Sequence, residues 1–353
     1  MTNLTFTRYL YALDECLLTL QEAILKKTSF DECIFWIGEI FYSNHPEELW
    51  DFIFEFYYNF CALKNKSKTE KRLLDLYKVD SIENISKAVN ILFNYYHKSF
   101  KVFNYFTKIK KPTKKKDDKM PKWISEKITS DKKFHSIIKA VFNKNLDNIS
   151  YYVSKLKENE ITDVYNIMKK YFEYDIKKKI KNEFIIENNP YKNKLHILLA
   201  FIIKYTLNEK SHHSSIMVYE HEEYKNILDK SNIPVRLKYK TLPEKLLYPI
   251  SKTIGCFPLK RFELKNINMQ EAYWYSWDYF AYNCNLWRER FNKYNIKINS
   301  KKKRIEFLSD EAYDDFCDLY FYEPDEQTSE IQNKAIPQII KSTFQEWIKL
   351  YDK

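Results

Sequence analysis

The sequence predicts a mainly α-helical protein: an irregular array of helical hairpins, followed by a C-terminal α+β region that contains one small β-hairpin. Only two of the 353 residues are glycine, whereas average use is roughly 7 %. Tight strand turns and phosphate-cradling loops need glycine, so this scarcity argues against a mainly β fold, a P-loop and a dinucleotide-binding fold. Apolar residues instead recur at helical spacing through most of the chain.

The N-terminal part is organised around residues 29–63, which we interpret as two helices. Ser29 and Glu32 fit a capping box, and Pro46 suits the first position of a second helix. Because only residues 42–45 connect the two helices, we expect them to pack antiparallel to each other. Their aromatic face is interpreted as core, with a ligand-binding or peptide-binding groove as the alternative.

Further elements follow from periodicity and from capping residues. Residues 190–207 contain a run of apolar residues that is typical of a central buried helix. Residues 297–308 alternate on either side of a polar turn, so they are the best β-hairpin candidate, although the turn lacks glycine. Other helices are predicted over residues 5–26, over 81–97 with a continuation at 102–106, over 269–294 as one or two helices, and over 309–320 and 337–351.

Four segments are predicted in chain order: an N-terminal helical domain (1–107), a basic linker or exposed loop (108–129), a middle helical domain (130–230) and an aromatic-rich C-terminal region with the β-hairpin (231–353). The second segment is the clearest break. Residues 108–122 contain two prolines and many lysines, with too few apolar side chains to form a core.

Basic residues outnumber acidic ones, with 59 Lys and Arg against 48 Asp and Glu and a formal net charge of +11. This excess favours an anionic partner. Only seven of the basic residues are arginine. Since lysine lacks the fork that reads guanine edges, contacts to a phosphate backbone are favoured over base recognition. The predicted nucleic-acid-binding residues are Lys108, Lys110, Lys111, Lys114, Lys115, Lys116, Lys119 and Lys122; a solvated linker is the alternative.

A second candidate surface is rich in aromatic and arginine side chains. Such a set is suited to stacking on single-stranded RNA or a cap, and to protein interfaces. Because the aromatic positions also follow helical spacing, a second core is the alternative. The predicted interface residues are Trp274, Trp277, Tyr279, Tyr282, Trp287, Arg288 and Arg290.

No motif names a reaction, so no catalytic residue, cofactor or metal ligand is assigned. The histidines of residues 212–221 lack the HExxH pattern. Asp314 and Asp318 are spaced to share a cation, but exposed acidic helix surface is the favoured interpretation. The six cysteines include no C-x-x-C pair, which favours buried free thiols. We expect no signal peptide, and no membrane span because no apolar run approaches ~18 residues.

Two stretches carry a resemblance to a known family. WIGEIFYSNHPEELWDFIFEFYYNFCAL (residues 36–63) and the segment from WDYFAYNCNLWRERF to YEPDEQ (residues 277–327) resemble an uncharacterised protein family of mimivirus-like nucleocytoplasmic giant DNA viruses. The resemblance implies a location in the host cytoplasm, at the virus factory, or in the virion. It brings no known activity and no catalytic residues.

These observations predict a non-enzymatic helical scaffold or adaptor in a viral gene-expression or replication complex. Its partners would be viral or host proteins together with RNA or DNA, bound through the backbone. A metal-dependent nucleic-acid enzyme using Asp314 and Asp318 is one alternative, and a structural virion or nucleoid protein is another. The sequence does not distinguish RNA from DNA as the ligand, and it does not indicate the oligomeric state.

Overall fold

The computed structural model describes residues 4–65, 67–112, 132–177, 180, 184–212, 218–230, 247–257, 268–320 and 328–349. The chain forms two compact units, each assembled from separated stretches. The first unit comprises residues 1–49, 81–86 and 219–353, and the second comprises residues 50–80 and 87–218. The domain boundaries expected from composition fall at or beside residues 113–131 and 231–246, which lie outside the described residues, and they stay predictions.

Regular structure in the described residues consists of seventeen α-helices and one two-stranded antiparallel sheet, which confirms the mainly α class. Short π-helical turns extend α3 (Tyr57–Cys61) and α9 (Tyr171–Asp175). In chain order the helices are α1 (Leu13–Lys26), α2 (Phe30–Phe41), α3 (Pro46–Phe56), α4 (Ser67–Tyr77), α5 (Ile82–Phe93), α6 (Lys101–Thr107), α7 (Lys132–Phe142), α8 (Leu146–Val153), α9 (Glu158–Lys170), α10 (Lys194–Leu207), α11 (His221–Lys230), α12 (Met269–Tyr275), α13 (Trp277–Ala281), α14 (Asn285–Phe291), α15 (Asp310–Tyr320), α16 (Ser329–Ala335) and α17 (Phe344–Ile348).

Local capping signals place several helix starts where the sequence predicts them. The Ser29 hydroxyl accepts a hydrogen bond from the Glu32 amide at 3.1 Å, and α3 begins at Pro46. The Ser81 hydroxyl caps α5 in the same way, at 3.2 Å from the Asn84 amide. These caps depend on residues within one turn, which is why sequence alone identifies them.

Several predicted helices are shorter than expected, among them the first and the last; the helix predicted over residues 81–97 ends at Phe93, and segment 269–294 is divided into α12, α13 and α14. The first helix begins at Leu13 because Leu10 has a positive φ of 63°, a left-handed conformation that a helix does not continue. The residues before it form a tight turn, in which the Leu13 amide donates to the Thr5 carbonyl at 2.9 Å. The last helix begins only at Phe344, where Thr343 accepts from the Glu346 amide at 3.2 Å.

Most aromatic residues of segment 29–63 are core, as predicted, but the helix pairing differs. Trp36 is fully buried and meets Tyr11 edge to face, with ring centroids 5.0 Å apart. α2 packs chiefly along α1 and also against α11. The prediction that α2 and α3 pack antiparallel against each other is therefore wrong, because α1 and α11 cover α2 instead. The spacing of apolar residues identifies a buried face but not the element that covers it.

A buried carboxylate joins distant parts of the first unit. Glu22 on α1 accepts hydrogen bonds from the hydroxyls of Ser251 and Thr253 and from the Trp347 indole, the last at 3.2 Å. Lys26, one turn further along α1, also pairs with Glu22. The carboxylate thereby fixes the short 3₁₀ turn Lys252–Cys256 and the C-terminal helix α17 onto α1.

The second unit is built around α10, the central buried helix that the sequence predicts. All of its residues from His196 to Thr206 are buried. His196 lies against Phe106, with ring centroids 4.3 Å apart, and its Nδ1 is 2.9 Å from the Tyr191 hydroxyl. Complete burial lowers the pKa of His196 to about 3, so the imidazole is neutral in the folded protein near pH 7.

A second buried carboxylate organises the same unit. Glu70 on α4 is 1 % exposed and accepts hydrogen bonds from the Tyr58 hydroxyl at 2.7 Å and from the Ile185 amide at 2.9 Å. The Phe184 amide donates to its other oxygen at 2.5 Å. Three donors on one carboxylate compensate its removal from water.

The predicted β-hairpin is confirmed. β1 (Lys297–Asn299) pairs antiparallel with β2 (Arg304–Glu306), with Ile298 opposite Ile305. The turn closes without glycine because the Asn299 side chain accepts from the Lys302 amide at 3.0 Å and Lys303 adopts a left-handed φ of 51°. Asp278 anchors β2 by accepting from the Ile305 amide at 2.7 Å.

Candidate functional site

The predicted lysine segment is described only at its beginning. Lys108, Lys110 and Lys111 follow α6 and are exposed, and the Lys110 Nζ is 3.3 Å from an Asp147 oxygen. An ion pair this open to solvent contributes little stability, so it leaves Lys110 available to another anion. The remaining predicted members lie outside the described residues: Lys114, Lys115, Lys116, Lys119 and Lys122.

The structure reveals a second cationic element, the tip and flanks of the β-hairpin. We call it the basic hairpin and define it as Lys293, Lys297, Lys301, Lys302, Lys303 and Arg304. All six side chains are exposed, and none forms an ion pair with a residue that the structure describes. No aspartate or glutamate occurs between residues 293 and 305. Six cations in twelve residues were a signal available in the sequence, which we used only to predict strands.

The helix that follows the basic hairpin has the opposite charge. α15 exposes five carboxylates: Asp310, Glu311, Asp314, Asp315 and Asp318. Asp314 and Asp318, the pair considered for a cation, are therefore on the surface, as the favoured interpretation of an exposed acidic helix predicts. Within the described residues, no three His, Cys, Asp or Glu side chains are arranged to hold a metal ion.

The histidines near residue 212 separate into different surroundings. His212 belongs to the second unit and stacks on His97, with ring centroids 3.9 Å apart. His221 belongs to the first unit, and its Nδ1 is 3.3 Å from the Tyr219 hydroxyl. His213 lies outside the described residues.

The predicted aromatic and arginine interface divides between core and surface. Trp277 and Trp287 are buried in a cluster with Phe291 and Phe316, whose rings stack at 4.7 Å. The core alternative therefore holds for these two tryptophans, which have no free face for a nucleic-acid base. Trp274, Tyr279 and Tyr282 are half-buried, and their role as interface residues stays a prediction.

The two predicted arginines have different environments. Arg288 caps backbone carbonyls: its Nε and Nη2 donate to the carbonyls of Tyr282 and Asn283 at 3.2 and 3.1 Å. Its Nη1 donates to the Asn285 side chain at 3.2 Å. These three hydrogen bonds use its guanidinium to hold the loop before α14, which is a structural role.

Arg290 has no such partners. Its Cζ lies 4.6 Å from the centre of the Trp287 ring and 4.7 Å from that of the Tyr320 ring. No hydrogen bond or ion pair joins it to any residue within the described part of the chain. Burial lowers the pKa of Arg290 from its usual value, although Tyr320, Cys284 and Tyr9 act in the opposite direction. A half-buried cation thus sits against two aromatic rings without a countercharge.

The fold also brings together a cysteine and a histidine that the sequence did not pair. The fully buried Cys284 thiol donates to the Ser43 carbonyl at 3.1 Å, and His45 Nδ1 is 3.2 Å from a Glu48 oxygen. Burial lowers the pKa of His45, but the interactions of its ring with Cys284 and Glu48 outweigh burial and raise the pKa to about 9. The thiol is buried, so we interpret this arrangement as structural. The hydrogen bond from Cys284 to Ser43 joins the loop between α2 and α3 to the start of α14.

No family model, curated protein or solved structure matches this chain. The resemblance to a giant-virus family therefore stays a prediction. The described residues of the first unit offer two positive features with open surroundings: the basic hairpin and Arg290.

Proposed function

We propose that this protein is a non-enzymatic helical scaffold that binds the phosphate backbone of RNA or DNA through the basic hairpin. The observation that carries the proposal is the concentration of six exposed cations on a short, anchored β-ribbon with no intervening acid. Free cations in such density raise the local concentration of a polyanion and release its counterions on binding.

The geometry of the basic hairpin favours backbone binding. Its tip is held by the Asn299 turn and by Asp278, so the lysines are presented without ordering a flexible arm. Five of the six cations are lysines, which contact phosphates as point charges and read bases poorly. We therefore expect weak dependence on sequence and strong dependence on salt.

The scaffold part of the proposal comes from the helical architecture and from the exposed lysines that follow α6. A helical protein of two compact units is suited to bind viral or host proteins as well as nucleic acid. With the resemblance noted above, we place this activity in a viral gene-expression or replication complex of the host cytoplasm.

Fluorescence anisotropy with a 20-nucleotide single-stranded RNA and a 20-base-pair DNA duplex tests the proposal. We expect log K to fall with log salt concentration, and the triple substitution Lys301→Gln, Lys302→Gln, Lys303→Gln to reduce the slope by about 2 to 3. The same triple substitution should also lower the affinity for both probes at low salt.

The matched control removes three exposed lysines elsewhere: Lys68→Gln, Lys71→Gln and Lys170→Gln. It changes net charge equally, so it should leave most of the slope in place. Equal losses in both triple variants would show that net charge alone attracts the probe. Absence of binding by the unsubstituted protein at low salt would rule the function out.

A further inference from the structure

We propose that Arg290 is a receptor for a phosphate group, held in place by Trp287 and Tyr320 and completed only when an anion binds. The proposal rests on the proposed function for the source of that phosphate, a nucleic-acid backbone. The basic hairpin would supply diffuse attraction, and Arg290 would supply one oriented contact.

Arg290 lacks a countercharge among the described residues. A guanidinium withdrawn from water is costly unless its charge and its five N–H donors are matched. The rings of Trp287 and Tyr320 attract the cation, but neither side chain forms a hydrogen bond with the guanidinium. Among the described residues no carboxylate pairs with Arg290, so its donors are left to solvent or to a ligand.

Two aromatic rings hold the Arg290 side chain in place. The Trp287 and Tyr320 rings are nearly perpendicular, at 74° with centroids 6.4 Å apart, and the guanidinium occupies the corner between them. Two ring contacts restrict its rotation, so less side-chain entropy remains to be lost when an anion binds. The Arg290 side chain is only half-buried, so part of it remains accessible to solvent.

Two other arginines of the same unit, Arg8 and Arg288, already have hydrogen-bond partners. Arg8 donates from Nε to a Glu39 oxygen at 2.9 Å, so its charge is already matched. Arg288 uses its guanidinium on three oxygens of its own loop. Arg290 alone of these three keeps its fork unused, and a planar fork matches two oxygens of one phosphate.

Arg290 is close to the basic hairpin along the chain. Arg290 is three residues before Lys293, the first member of the basic hairpin. The adjacent Phe291 packs against Phe307, which directly follows β2, with ring centroids 6.2 Å apart. One aromatic cluster thus supports both Arg290 and the hairpin, and a backbone attracted by the lysines would be held close to the arginine.

Nuclear magnetic resonance of the full chain, with ¹⁵N-labelled arginine, tests the contact directly. The seven arginines give seven Nε–Hε signals, and Arg290→Lys and Arg288→Lys assign the two of interest. Titration with inorganic phosphate, against chloride at equal ionic strength, should move the Arg290 signal saturably and leave the Arg288 signal in place. An Arg290 signal that phosphate does not move overturns the inference.

A binding experiment with the same RNA and DNA probes separates the fork from its charge. Arg290→Lys keeps the charge, so the salt slope should not change, while affinity should fall about five- to ten-fold. The matched control is Arg72→Lys, at an exposed position of α4 without an ion-pair partner among the described residues, and its affinity should change less than about two-fold. Equal effects of the two substitutions overturn the inference.

The two proposals fail in distinguishable ways. Probes that bind through the lysines while phosphate leaves the Arg290 signal unmoved refute the inference and keep the proposed function. Phosphate that moves the Arg290 signal in a protein that binds neither RNA nor DNA refutes the proposed function and keeps the inference, with a phosphate of another source as its ligand.

Discussion

Glu70 of the second unit and Arg290 of the first are both charged side chains among aromatic rings, yet their surroundings differ. Glu70 is sealed from solvent and accepts hydrogen bonds from one tyrosine hydroxyl and two backbone amides. Arg290 is half-buried and has ring contacts alone within the described structure. A buried charge with every oxygen engaged holds a fold together, whereas a partly buried charge without a partner marks a place for a ligand.

The largest expected effect is the loss of the Glu70 carboxylate. Glu70→Ala leaves the Tyr58 hydroxyl and two amides without their acceptor, so the free energy of unfolding should fall by about 3 kcal/mol or more in urea denaturation. Glu187→Ala, at an exposed turn of the same unit, is the control and should change stability by about 0.5 kcal/mol or less. Similar losses in the two variants would contradict a structural role for Glu70.

The next effect depends on pH and comes from His196. Its folded pKa of about 3 lies below the usual value of 6.5, so the unfolded chain binds the extra proton between those pH values. Stability should therefore fall as pH drops below 6.5, with a limiting slope of about 1.4 kcal/mol per pH unit. In His196→Gln the number of protons taken up on unfolding between pH 4 and 6 should fall by close to one. An unchanged slope of stability against pH in this range would refute the low pKa assigned to His196.

His45 should act in the opposite direction. Its folded pKa of about 9 lies above the usual value, so its stabilising contribution is complete below pH 6.5 and is lost as pH rises through 9. Solvent screening around Glu48, which is 34 % exposed, makes this effect smaller than that of His196. Proton NMR of the imidazoles measures both: His45 should titrate near pH 9, and His196 should stay neutral down to pH 4.

The smallest expected effect on stability is at Arg290. Arg290→Met keeps the apolar contacts with Trp287 and Tyr320 and removes a charge that has no partner, so stability should stay within about 1 kcal/mol or rise. Arg288→Met removes three hydrogen bonds and should cost about 1 to 2 kcal/mol. Thermal denaturation of the two variants compares these effects. A greater loss of stability in Arg290→Met than in Arg288→Met would contradict the view that Arg290, unlike Glu70, does not hold the fold together.

Sequence reasoning succeeded wherever the cause is local. Ser29 and Ser81 cap helices because each hydroxyl accepts from an amide three residues ahead. The turn of the β-hairpin closes through Asn299, and α10 is buried from His196 to Thr206, as its composition predicts. Length was less predictable: α1 starts late because Leu10 adopts a left-handed backbone, which no propensity of leucine indicates.

The candidate site could be predicted only in part. The sequence singled out Arg288 and Arg290 together, with Trp287, as one interface. It does not reveal that Trp287 is buried, that Arg288 caps carbonyls, or that Tyr320 from α15 lies over Arg290. It also does not pair Cys284 with His45, which are separated by 239 positions in the chain and meet only in the fold.

By itself the sequence determined the helical class, the hairpin, the buried central helix and the excess of positive charge, because each depends on residue type and on spacing within a few turns. Tertiary structure decided which helix covers α2, which carboxylates are satisfied and which arginine keeps its guanidinium open. Those outcomes depend on side chains that are far apart in the chain, and a spacing pattern identifies an apolar face or a charge without identifying what meets it. The difference between Glu70 and Arg290 is therefore a property of the fold.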